Sequence, residues 1–186
     1  LALAEHDIIT KGSFGDLLDI QPFKVSHELI EFVVMHMNHM SRQFRYKNKV
    51  INFSRLMVKR IFNVQSCDRP VKLLKKSDQR NLCNIYKEGN TAPINHAIDL
   101  LKACSETDEV MVERTWILIT LATILCPCTQ NMINLEYMAS LEDMASVHEF
   151  AWDEHLLAAT NEALGCSVSR EEANPANNEK SSRVSN

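Results

Sequence analysis

Apolar and polar positions alternate with several different periods along this chain, and apolar density peaks from Met111 to Pro127, MVERTWILITLATILCP. After Glu113 and Arg114 the stretch carries no charge, and its only polar side chains are Thr115, Thr120 and Thr123. Apolar residues fall on every side of a helical repeat, which predicts a helix enclosed on all sides. A bilayer-crossing helix needs roughly 20 apolar residues in a row, and shorter runs are usually buried core helices. Pro127 lacks the N–H that would continue the helix and disfavours helical backbone at Cys126. The pattern therefore predicts a central core helix over about 109–126.

Upstream, residues 1–11 read as a frayed end, and Gly12-Ser13-Phe14-Gly15-Asp16-Leu17-Leu18 as a tight entry with Phe14, Leu17 and Leu18 turned inward. Ser26 caps a helix running to about Met40, whose Leu29, Ile30, Phe32, Val33, Val34, Met37 and Met40 suit one buried face. In QFRYKNKVINF the period shortens to two around Lys47-Asn48, predicting a small β-hairpin over 43–53. Ser54 then caps a helix to Phe62, with Leu56, Met57, Ile61 and Phe62 inward and Asn63 as a left-handed stop. Further helices are expected from Ser77 to about Lys87, from a Thr91 cap to about Cys104, over 135–141 and 143–150, and from Trp152 to Leu164 with Gly165 just past its end. Residues 166–186 are too sparse in apolar side chains to pack and read as a disordered tail or linker. The fold class expected is mainly α: a single globular helical domain over 12–165 around one buried helix, with a small hairpin at its side.

Composition narrows this further. The chain has 186 residues, of which 45% are hydrophobic and 24% charged, ordinary for a folded domain with a real core. Four glycines and five prolines are few for a β-sandwich. The chain opens at Leu1 and reads as a fragment of something longer, without a secretory signal. Six cysteines at 67, 83, 104, 126, 128 and 166 lack a regular spacing, which favours reduced thiols over a disulfide framework. The net charge of −4 hides a strong asymmetry, since residues 42–87 hold 13 Lys/Arg against 2 Asp/Glu, while both flanks are acidic. Such a basic middle either neutralises the flanks or attracts phosphate. The second reading makes Arg42, Arg45, Lys47, Lys49, Lys59 and Arg60 one exposed contact face.

Candidate chemistry is thin. His36 and His39 stand at metal-sharing spacing in MHMNHM, but no acid or thiol accompanies them. Cys126-Pro127-Cys128 is tighter than a zinc knuckle and has no second pair. His96, His148 and His155 could in principle activate a cysteine, yet no cysteine stands in a recognisable nucleophile context. Gly12-x-x-Gly15 is not followed by Gly-Lys-Ser/Thr and is no phosphate loop. Trp116 and Trp152 read as core anchors. The expectation is a non-enzyme with no catalytic group, cofactor, metal or small-molecule substrate.

Four separated pieces nevertheless resemble one family. GSFGDLL at 12–18, INFSRLMVKRIFNVQSCDRPV at 51–71, WILITLATILCP at 116–127 and Leu141-Glu142-Asp143 followed by Trp152 resemble, in order, the plant mobile domain, also called the aminotransferase-like plant mobile domain. Its motif residues would here be Gly12, Phe14, Gly15, Leu17, Leu18, Asn63, Trp116, Pro127 and Trp152, with Asn63 standing where the family usually has glycine. The resemblance implies a transposon-derived plant protein of the nucleus, linked to transposon silencing, genome stability or meristem maintenance, acting as a non-catalytic interaction domain whose partners are other proteins. Two alternatives stand beside it: an accessory domain of a longer transposon protein with a SUMO-protease-like cysteine peptidase domain elsewhere, and a DNA-binding module using 42–87. No lysine sits in a pyridoxal phosphate setting, so the word aminotransferase carries no chemistry here.

Overall fold

The uncharged stretch from Ile117 to Ala122 is buried at every position, and only Thr123 and Ile124 before Leu125 reach solvent, in a computed structural model that describes residues 3–21, 24–64, 66–75, 78, 80–104, 108–127 and 130–172, the side chains of 166–172 excepted. In chain order the elements are α1 (Leu3–Lys11), α2 (His27–Met35), β1 (Met37–Asn38), β2 (Gln43–Tyr46), β3 (Lys49–Asn52), α3 (Arg55–Phe62), α4 (Asn81–Asn84), α5 (Ile94–Ala103), α6 (Glu109–Thr120), α7 (Met138–Leu141) and α8 (Trp152–Glu172). Short 3-10 turns lie at Gly15–Asp19, Leu135–Tyr137 and Met144–Glu149. The fold is mainly helical with a small antiparallel sheet in the order β1-β2-β3. It gathers into two compact units: Leu1–Gln21 with Arg55–Leu156, and Pro22–Ser54 with Leu157–Asn186.

The first unit is organised on α6. Asp108 caps it by accepting from Met111 N, and Val112, Thr115, Ile117, Leu118 and Ile119 are buried along it. From Leu121 to Leu125 the coil widens into a π turn, closed by Cys126 N donating to Leu121 O at 2.7 Å. The helix stops there, one residue before Pro127, as the missing proline N–H requires. Thr115 and Thr123 spend their hydroxyls on the carbonyls of Met111 and Ile119, four residues back. Such back-bonding satisfies a hydroxyl inside an apolar helix, whereas the buried Thr120 Oγ1 makes no hydrogen bond among the described residues.

α1 and α5 lie against α6. The N-terminal stretch is thus a helix rather than a frayed end, held by Ile9, which is fully buried. The extended segment 69–74 runs beside 136–151, tied by Leu74 N to Glu136 O, by both polar backbone atoms of Lys72 to Ser140 Oγ, and by Ala151 N to Arg69 O.

Several sequence expectations are corrected. Thr91 does not cap α5; its hydroxyl donates to Glu88 O, and Pro93 occupies the cap position. The helix expected over 77–87 shrinks to α4, with Ser77 itself outside the described residues. Gly165 lies inside α8, which continues to Glu172, so the first part of the expected tail is helical; residues 173–186 are outside the described residues. In α3, Leu56 and Ile61 are exposed instead of inward, while Met57 and Phe62 are half-buried.

The second unit contains α2, the sheet and the later part of α8. Ser26 caps α2 through Leu29 N, as its sequence predicts. The helix ends at Met35 rather than Met40, because Met37 pairs with Phe44 and Asn38 with Gln43 in the sheet. No residue of α2 is fully buried. Its Phe32 and the His36 ring pack against Phe44 and Tyr46 of β2, with centroid separations of 4.3–6.0 Å within the group. Met37, Phe53, Leu157 and Leu164 line one small gap in this unit.

Candidate functional site

The motif residues from separated parts of the chain come together in the first unit. The backbone folds back at Gly12, whose N–H donates to Ile9 O at 3.0 Å, and again at Gly15, donating to Gly12 O at 3.3 Å. A Cβ on Gly15 would stand 2.5 Å from Thr10 O and 2.6 Å from Ile9 O, so only glycine fits. This turn delivers Phe14 to the core, edge-on to Trp152 at 5.3 Å. Phe14 O accepts from Trp116 Nε1 at 3.1 Å, and Trp152 Nε1 donates to Val147 O at 2.9 Å. Leu17 is buried and Leu18 half-buried. Asn63, at φ +48, takes the left-handed conformation its sequence position predicts, and its side-chain amide donates to Asp16 Oδ2. Pro127 is exposed past the end of α6. These groups are apolar, or their polar atoms are spent on the backbone and on one another. They form a frame rather than a reactive centre.

Two polar clusters that the motifs did not reveal lie in the same unit. Asp153 is fully buried at the start of α8. Arg55 Nε and Nη2 donate to its two oxygens at 3.0 and 3.2 Å, Ser66 Oγ at 2.6 Å, and Glu154 N at 2.9 Å. Burial raises this carboxyl, but the donors outweigh burial and hold it below its ordinary value. The sequence signal was an aspartate beside Trp152 on the inward face of an amphipathic helix, which requires a buried donor. In the second cluster the Tyr137 hydroxyl lies 2.9 Å from His155 Nε2, with the Cys126 thiol near Tyr137. Burial lowers His155 and raises both Tyr137 and Cys126. His155 is therefore neutral and Cys126 a thiol at neutral pH, the opposite of an activated Cys–His pair.

The His96 and His36 rings are held by local contacts. His96 sits 3.1 Å from Ile85 O and 3.2 Å from a Glu88 oxygen, and the His148 carbonyl accepts from Cys67 Sγ. His36 Nδ1 lies 2.7 Å from its own helix carbonyl at Phe32. Among the described residues no three His, Cys, Asp or Glu side chains are grouped to hold a metal; Cys128 lies outside them. Two open surface cavities of about 400 and 470 Å³ carry mixed charge, the first with Lys75, Arg80 and Lys87 beside Asp78 and Glu136, the second with Asp7, Glu109 and Glu113 beside Lys11 and His148.

The six basic residues expected on one face are divided. Lys59 and Arg60 are on α3 in the first unit, and Arg42, Arg45, Lys47 and Lys49 are in the second. In the hairpin, Arg45 pairs with Val50 and Tyr46 with Lys49. Paired residues share a face and successive residues alternate, so Arg45 and Lys49 point to opposite sides of the sheet. Arg45 is further tied to Gln43 Oε1 at 2.5 and 3.0 Å, and the Lys47 ammonium lies 5.2 Å from the Tyr46 ring centre.

A family model described as Domain of unknown function (DUF8566) matches residues 1–165. No curated protein and no solved structure matches the chain. Among the described residues, no helix is long and apolar enough to cross a membrane.

Proposed function

Because the chain belongs to the DUF8566 family, whose description assigns no activity, its function must be argued from its surface, and we propose that it is a non-catalytic interaction domain whose partners are other proteins. The observation that carries this reading is where the apolar surface lies. In the second unit Leu29, Ile30, Met35, Met40, Val50 and Ile51 are between 47% and 84% exposed, all within residues 29–51, while the exposed apolar residues of the first unit are spread from Leu3 to Ile124. Scattered exposed apolar residues are ordinary; a concentration in one stretch marks a surface that another macromolecule covers. The spent polar atoms of the frame and the neutral state of the Cys126–Tyr137–His155 group support a domain without chemistry of its own.

The resemblance of 12–18, 51–71, 116–127 and 141–152 to the plant mobile domain supports placing this domain in a transposon-derived plant protein of the nucleus. On that reading it serves transposon silencing or genome stability, as a free-standing protein or as the accessory part of a longer transposon protein. The test is recovery of cross-linked partners from plant nuclei with the tagged full chain. A defined partner lost on replacing both Val50 and Ile51 by Ser is expected. Recovery of nothing beyond a scrambled control contradicts the reading. Direct DNA binding is a second reading, carried by the seven Lys/Arg and no Asp/Glu of residues 42–67. It requires affinity for duplex DNA that falls steeply with salt, and a filter-binding titration without such retention removes it.

A further inference from the structure

We propose that the outer edge of β3 is a strand-addition site for an extended, acidic–apolar segment of a partner protein. This rests on the interaction-domain reading and says where and how the partner binds. β3 ends the sheet order β1-β2-β3, and all four of its residues are exposed. The hydrogen-bond phase fixes what that edge offers. Arg45 N donates to His36 O at 2.9 Å, on the β1 side, so Arg45 and its partner Val50 exchange no ladder bonds. Two residues on, Gln43 and Asn52 fall in the same phase, bracketed by the Phe53 N to Arg42 O bond at 2.8 Å. The backbone N–H and C=O of Val50 and of Asn52 therefore face away from β2, giving two donors and two acceptors in register for another strand.

The side chains select the occupant. An added strand continues each cross-strand row. The row Tyr46–Lys49 calls for a carboxylate, and the rows Phe44–Ile51 and Arg45–Val50 call for apolar residues. Lys47 at the turn extends the preference for acids beyond the strand end. A second copy of β3 would bring together two hairpins that each carry Arg42, Arg45, Lys47 and Lys49, in a stretch without any acid from 42 to 67. Like charges at that density oppose self-pairing. Nucleic acid is disfavoured because the register sends Arg45 and Lys49 to opposite faces, so they do not line one phosphate track.

The experiment is an amide NMR titration of the full chain with the capped hexapeptide Thr-Val-Ile-Glu-Asp-Glu, its basic counterpart Thr-Val-Ile-Lys-Asn-Lys, and a short DNA duplex, with amide exchange read at Val50 and Asn52. The acidic peptide should bind saturably and slow exchange at those two amides; the basic one should not. Val50→Pro removes an outward N–H that the sheet does not use, a position where an edge strand tolerates proline, and should abolish binding. Lys49→Glu should weaken the acidic peptide about tenfold and turn the preference toward the basic one, a readout independent of whether Val50→Pro folds. Equal binding of both peptides, binding of neither, salt-sensitive DNA shifts in their place, or self-association through Val50 and Asn52 each overturn the proposal. A nuclear partner still captured by Val50→Pro sinks this edge alone. Failure of the wild-type chain to capture any partner sinks the interaction reading itself.

Discussion

Asp153 shows how much a single residue can hold. Its carboxylate is fully buried and receives donors from Arg55, Ser66 and Glu154 N, so it links α3, the following loop and the first turn of α8. Removing one partner of a buried charge leaves the other uncompensated. Arg55→Leu should lower the urea midpoint clearly, and Asp153→Asn less, since the amide keeps an acceptor. Equal, negligible losses would show that water already solvates the pair. Gly15→Ala should cost about 2 kcal/mol, because the added methyl meets backbone oxygens that cannot swing aside. Gly12→Ala should cost less, its methyl meeting only the Glu113 side chain, at 2.8 Å.

His155 predicts a pH signature at the same scale. Burial lowers its folded pKa, so the unfolded chain binds the proton first. The stability it contributes is complete above the unfolded value of about 6.5 and is lost as pH falls through that value toward the folded one. Asp153, held below its ordinary range, keeps its contribution until pH drops below about 3.9. Urea midpoints measured from about pH 7.5 down to about pH 5 should fall for the wild type and stay flat for His155→Asn. An unchanged slope in the variant would assign the loss to other groups.

At the scale of elements, legibility followed burial. α6 could be read from sequence because an uncharged run closed by Pro127 leaves few alternatives. The hairpin could be read because Phe44 and Tyr46 alternate with polar residues around Lys47-Asn48. α2 misled because its apolar positions predict burial at helical spacing, whereas Leu29 and Ile30 face solvent. Spacing reports a periodic face without saying what covers it. β1 was invisible because two residues carry no period. α1 was missed because its apolar residues form no stripe: Ile9 is fully buried while Leu3 faces solvent. The polar clusters around Asp153 and His155 joined residues distant in sequence, where no local motif could announce them. Truncation should separate the two kinds of helix. Ile117→Ala in α6 should cost about 2–5 kcal/mol, and Leu29→Ala in α2 no more than about 0.5 kcal/mol, both read from urea midpoints. Comparable losses would mean that α2 is covered in solution.

At the scale of the whole molecule, labour is divided between a packed frame and an uncovered strand. The frame is α6 with α1 and α5 against it and the Phe14, Trp116 and Trp152 turn beside it. The surface for partners lies along 29–51 of the second unit, with the edge of β3 as its directional part. Amide hydrogen exchange of the free full chain, resolved by residue, tests that division most directly. The slowest exchange should fall at the hydrogen-bonded amides of 112–122, with Val50 and Asn52 near the rate of open chain while their neighbour Ile51, bonded to β2, is protected. Rapid exchange along 112–122, or protection of Val50 and Asn52 with no partner present, would contradict it.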